Sequence, residues 1–108
     1  MGLKSRTKGL RAERAVAHLL GGERVPLSGA AGGQFTGDVV LPTGLRVECK
    51  VRARGFKQIY GWLEGNDVLA IKADRRPWLA VLPLETLREL LVLAAADSVA
   101  RRAAGGEG

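Results

Sequence analysis

The chain has little of several things. Of its 108 residues one is a cysteine, one a histidine, and aromatic residues make up 5%. A single thiol, Cys49, excludes an internal disulfide and cannot by itself build a zinc site. His18 has no second histidine or cysteine near it in sequence, so it reads as a helix-surface residue and not a metal ligand. The lack of any alternating aromatic run argues against recognition of nucleic acid by serial base stacking. No apolar stretch is long enough to span a bilayer, and Met1-Gly2-Leu3-Lys4 opens no signal-peptide pattern. The expectation is an intracellular protein, cytoplasmic or nucleoid-associated, with no membrane partner and no small-molecule cofactor. Acids are outnumbered too: 11 Asp and Glu stand against 17 Lys and Arg, a formal charge of +6.

That charge is clustered. Lys4, Arg6, Lys8, Arg11 and Arg14 load the first predicted helix. Arg46, Lys50, Arg52, Arg54 and Lys57 load a hairpin and the loop after it, and Arg75 and Arg76 form a third group. Ordinary solubility charge is one explanation. A surface that tracks phosphates is the other, and proximity to candidate acids favours it. With few aromatics, such a surface reads backbone and shape.

The chemistry concentrates between Gly37 and Arg52. Leu45, Val47, Cys49 and Val51 alternate with Arg46, Glu48, Lys50 and Arg52, the period of a strand with one apolar and one polar face. Cys49 then takes a core-facing position as a small hydrophobe. Pro42-Thr43-Gly44 suits a three-residue loop, with proline opening the turn and glycine in the left-handed position. Across that loop Leu41 opposes Leu45, Val40 opposes Arg46 and Asp38 opposes Glu48. Opposed residues share a face, their Cβ atoms about 4.5–5.5 Å apart, and Lys50 follows on that face. A two-residue loop would slip the register and send Asp38 to the other side.

Two opposed carboxylates repel unless a cation lies between them. Mg²⁺ is the natural one, since it takes oxygen ligands and is held by one or two carboxylates while keeping waters and substrate phosphate. Lys50 would orient the attacking water or stabilise the transition state. The plainer alternative is a surface Glu–Lys pair with an aspartate nearby. A third acid, Glu13, falls within the apolar seam of Leu10, Val16, Ala17, Leu19 and Leu20 on the first helix. A glutamate there either pairs with an arginine at the helix edge or joins the site.

The coarse organisation is a helix over 5–20 stopped by Gly21-Gly22, a strand at 23–25, a Gly/Ala-rich loop at 27–33 and the hairpin over 34–51. A basic loop over 52–55 and a short helix over 56–64 follow. Strands at 68–72 and 78–82 then lead to a last helix from Pro83-Leu84. Trp62 and Trp78 read as core anchors. The order αβββαββα is an α/β (α+β) fold, a mixed central sheet of about five strands flanked by helices. Residues 1–96 are expected as one domain, with 97–108 a flexible C-terminal tail.

Taken together, Glu13 on the first helix, Gly37-Asp38 and Glu48-Cys49-Lys50 resemble the PD-(D/E)XK nuclease core. Lys8-Gly9 with Glu13-Arg14, Arg24 before Ser28-Gly29, Glu48-Cys49-Lys50-Val51-Arg52 and Ile59-Tyr60 are similar, within that superfamily, to the archaeal-type Holliday junction resolvases, which also occur in some phages. The likeness spans about residues 5–83. The chain departs from the family in carrying Gly37 where a proline precedes the aspartate. The resemblance implies a restriction-endonuclease-like core and a homodimer that nicks opposing strands of a four-way DNA junction symmetrically, using Mg²⁺, with Mn²⁺ able to substitute. It implies that Asp38, Glu48 and the Cys49 carbonyl bind the metal. Lys50 would assist the water, and Glu13 would complete the acidic site. Ser28 would reach the scissile phosphate, and Arg24 and Arg52 would hold neighbouring phosphates. Two further readings stay open: a nuclease of the same core acting on duplex or flap DNA, and a non-catalytic DNA-binding module.

Overall fold

The computed structural model describes residues 2–25 and 38–105. The elements are α1 (Gly2–Leu20), β1 (Glu23–Arg24), β2 (Val39–Val40), β3 (Arg46–Val47), α2 (Lys57–Leu63), β4 (Leu69–Ile71), β5 (Leu79–Val81) and α3 (Leu84–Gly105). This is the expected order αβββαββα. The chain forms two compact units, Met1–Phe56 and Lys57–Gly108.

In the first unit, α1 ends where glycine allows it. Gly21 adopts φ 69°, and the Gly22 N–H donates to the Ala17 carbonyl at 2.8 Å, which satisfies a carbonyl the helix leaves open. The helix then hands over directly to an antiparallel sheet in the order β1-β2-β3. Gly22 is also a packing requirement. A Cβ there would lie 2.7 Å from the Val40 carbonyl oxygen, 2.8 Å from Leu41 Cδ2 and 2.9 Å from Val39 Cγ1. The core of this unit is Leu20, Val39 and Leu41, with Val39 fully enclosed. Leu10, Val16, Ala17 and Leu19 of α1 are half-buried, as the helical seam predicts.

In the second unit, β4 and β5 pair antiparallel, Ile71 opposite Leu79 and Leu69 opposite Val81. The Leu87 N–H reaches back to the Pro83 carbonyl at 3.1 Å and closes the first turn of α3. Leu84, Leu87 and Leu91 form the half-buried side of that helix, while Leu90, Val92, Leu93 and Val99 are at least half exposed.

Several expectations change. The strands pair as one ladder of three and one of two, all antiparallel, in place of a mixed sheet of five. Helix α3 extends to Gly105, and the alanines of its last turns favour that conformation. Trp62 and Trp78, expected in the core, are 53% and 67% exposed, and Leu45 and Val51 of the apolar hairpin face are also exposed. Among the described residues no helix is long and apolar enough to cross a membrane.

Candidate active site

The site is built on the β2–β3 turn. Gly44 takes φ 90°, its N–H donates to the Leu41 carbonyl at 2.8 Å, and the Leu41 N–H donates to Leu45 at 2.9 Å. The Leu45 N–H also reaches the Thr43 hydroxyl at 3.3 Å. These bonds make the three-residue loop that the sequence calls for. The ladder follows: Val40 opposes Arg46 and Val39 opposes Val47, and Asp38 and Glu48 stand just beyond its last pair.

Asp38 is held from several directions. Its N–H donates to the Val47 carbonyl at 2.7 Å, and its carbonyl accepts the Val25 N–H at 3.0 Å. Its carboxylate oxygen Oδ2 accepts the Cys49 N–H at 2.9 Å. Backbone bonds from Val25, just after β1, and from Val47 of β3 fix the residue, and the bond to Cys49 ties its carboxylate to the extended segment after β3 that carries Glu48 and Lys50. That last bond is invisible to a side-chain pattern, since any residue at position 49 except proline would offer the same donor.

The carboxyl of Glu48 is pushed above the ordinary glutamate range. The largest cause is a side-chain hydrogen bond with Asp38. The negative charge of Asp38 and the more distant Glu13 add to it, and Lys50 opposes it. A carboxyl beside a second carboxylate is harder to ionise, because like charges repel. The Cys49 thiol is likewise raised, first by burial and then by Asp38, Glu13 and Glu48. The charge of each acid is felt at Cys49, and the thiol stays protonated and unreactive.

Glu13 stands on α1. Its Oε1 lies 3.9 Å from Arg24 Nε, both side chains being largely buried. That is an ion pair too long to be a hydrogen bond, and Arg24 Nε has no hydrogen-bond partner among the described residues. Glu13 is thus neutralised by an arginine, one of the two outcomes open to it. Among the described residues no three His, Cys, Asp or Glu side chains converge closely enough to hold an ion as a set. The donor set that fits a hard cation is the Asp38–Glu48 pair, with water and phosphate left to complete the coordination.

Lys50 and Arg52 are exposed, the latter donating to its neighbour's carbonyl at 3.0 Å. Lys8, Arg11 and Arg14 are exposed on α1, about one turn apart, and form a basic stripe. Arg54 and Lys57 are exposed as well. Lys4 and Arg6 lie within α1. Ser28 and Gly37 lie outside the described residues. The chain matches no protein-family model, no curated protein and no solved structure.

Proposed function

We propose that this chain is a Mg²⁺-dependent, structure-selective endonuclease that nicks four-way DNA junctions as a homodimer on a restriction-endonuclease-like core. The observation that carries the reading is the Asp38 carboxylate set close to the Glu48 carboxyl past a three-residue turn, its Oδ2 held by the Cys49 N–H at 2.9 Å, with Lys50 near enough to act on Glu48. A surface Glu–Lys pair has no reason to place a second carboxylate against the glutamate. A cation site does, because the ion removes the repulsion between the two.

Asp38 and Glu48 would hold the metal together with the Cys49 carbonyl. When bound, such an ion polarises the phosphodiester and lowers the pKa of water. The chain's own groups do the rest. Lys50 orients the water and offsets charge on the phosphorane-like transition state. Glu13, ion-paired with Arg24, would complete the acidic site from α1. Arg52, Arg24 and the stripe Lys8–Arg11–Arg14 hold flanking phosphates, with Ser28 acting at the scissile one. The water oxygen bonds to phosphorus as the bond to the 3′ oxygen breaks, leaving a 5′-phosphate and a 3′-hydroxyl. A two-fold-symmetric junction needs two such sites related by the same operator, which a homodimer supplies. The work is done inside the cell, where the DNA is.

The test is cleavage of a synthetic four-way junction and of a linear duplex, with Mg²⁺, with Mn²⁺ and with chelator. Junction nicking that needs metal and falls by about 10³-fold or more in Asp38→Asn and Glu48→Gln is expected. Undiminished cutting in both variants refutes the site. Equal cutting of plain duplex transfers the substrate to ordinary DNA. Tight junction binding with no cleavage in either metal leaves a binding module.

A further inference from the structure

The hairpin of the second unit has one face that nothing in its own unit covers. Continuing the β4–β5 register by one residue sets Lys72 opposite Trp78, and the Lys72 ammonium lies 5.7 Å from the centre of the indole ring. That is the reach of a cation–π contact. On this face Val68, Ala70, Lys72, Trp78 and Ala80 are exposed and Leu82 at its far end is half-buried, while on the other face Leu69, Ile71 and Val81 are half-buried and Leu79 is exposed. The alanines beside the indole leave open space around a ring that is 67% exposed. The connecting loop adds Arg75 and Arg76, both exposed, against the single acid Asp74. Arg75 is held at φ 62°, a conformation that costs an ordinary residue energy and clusters at binding sites.

We infer that the tip of the β4–β5 hairpin is a DNA contact that stacks one unpaired base on Trp78 and holds the flanking phosphates with Lys72, Arg75 and Arg76. The inference rests on the reading of the chain as a DNA-processing protein, and it names the substrate feature that the second unit recognises. An apolar partner would suit the indole but not the cations around it. A second copy of the same hairpin would bring positive charge against positive charge. A nucleotide meets both demands, since every base has a π face and every phosphate a negative charge.

The experiment uses the full chain carrying Trp62→Phe, which leaves Trp78 as its sole tryptophan. It is titrated without divalent metal with a short oligothymidylate and with a blunt duplex. Oligothymidylate should quench Trp78 emission saturably, with duplex much weaker. Trp78→Ala should weaken binding roughly tenfold. Arg75→Gly, which suits the left-handed backbone and so preserves the fold, should lower the salt slope by about 0.7. Binding that leaves Trp78 emission unchanged, or unaltered affinity in Trp78→Ala, overturns the contact. So does a shift in emission that follows protein concentration alone, because it makes the hairpin a subunit interface. Quenching without junction cleavage in Mg²⁺ sinks the nuclease reading and spares this one. Metal-dependent cleavage without quenching does the reverse.

Discussion

In residues 1–56 the apolar side chains of β2 and the end of α1 close around Val39, and the strand's alternate positions carry Asp38 to the face where Glu48 and Lys50 stand. In residues 57–108 the helices and hairpin have no side chain enclosed to that degree, and Trp78, Leu79, Val92, Leu93 and Val99 stay largely exposed. The first arrangement fixes atoms. Two carboxylates that must meet within hydrogen-bond reach need a backbone that does not move, and a small dense core behind them provides it. The second arrangement presents surface, which suits a region that meets other molecules and does not have to place a reacting group.

This contrast can be broken by measuring stability. Leu41→Ala, at a position 3% exposed, should cost about 3 kcal/mol in urea unfolding. Gly22→Ala should cost about 2 kcal/mol, since its methyl would press on the Val40 carbonyl as well as on two side chains. The acid pair should give a pH signature. Glu48 binds its proton more tightly in the folded chain than in the unfolded one. The folded state is then favoured below the ordinary glutamate pKa, and metal-free stability falls as pH rises from there through the raised value. Thermal unfolding against pH should show that decline, Mg²⁺ should reverse it, and Glu48→Gln should flatten it. A decline that persists in the glutamine variant places its origin elsewhere. At the small end, Leu93→Ala on the exposed side of α3 should change stability by under about 0.5 kcal/mol. Asp97→Ala should do no more, although Asp97 sits 3.0 Å from Arg101, because both side chains are well exposed. A Leu93 effect as large as that of Leu41 would show that α3 is buried in solution, and the comparison would fail.

The legible parts of this chain are those decided by neighbours in sequence. Pro42-Thr43-Gly44 specified its own turn, and the turn specified that Asp38 meets Glu48, because register follows from loop length. The stop at Gly21-Gly22, the start after Pro83 and the order of elements are local in the same way. The illegible parts depend on partners distant along the chain. Periodicity places Leu45 and Val51 on an apolar face, but it does not say whether anything covers that face, and little does. Trp62 and Trp78 were assigned to the core on residue type alone. The hairpin register, which was available from the five-residue loop 73–77, would have put Trp78 beside Lys72 on a face of small residues. Glu13 lay between two outcomes that differ only in whether Arg24 comes within reach, and sequence spacing does not carry that distance.

The count of residues between Leu41 and Leu45 has a consequence for how this chain would lose its chemistry. A deletion of one codon within the turn would leave Asp38, Glu48 and Lys50 all present, and a scan for those letters would report an intact motif. Yet the aspartate would face away from its counterpart, and the protein could stay folded while the acids no longer met. Among natural variants of such a chain, the length of this turn is a better guide to whether the acids meet than their mere presence.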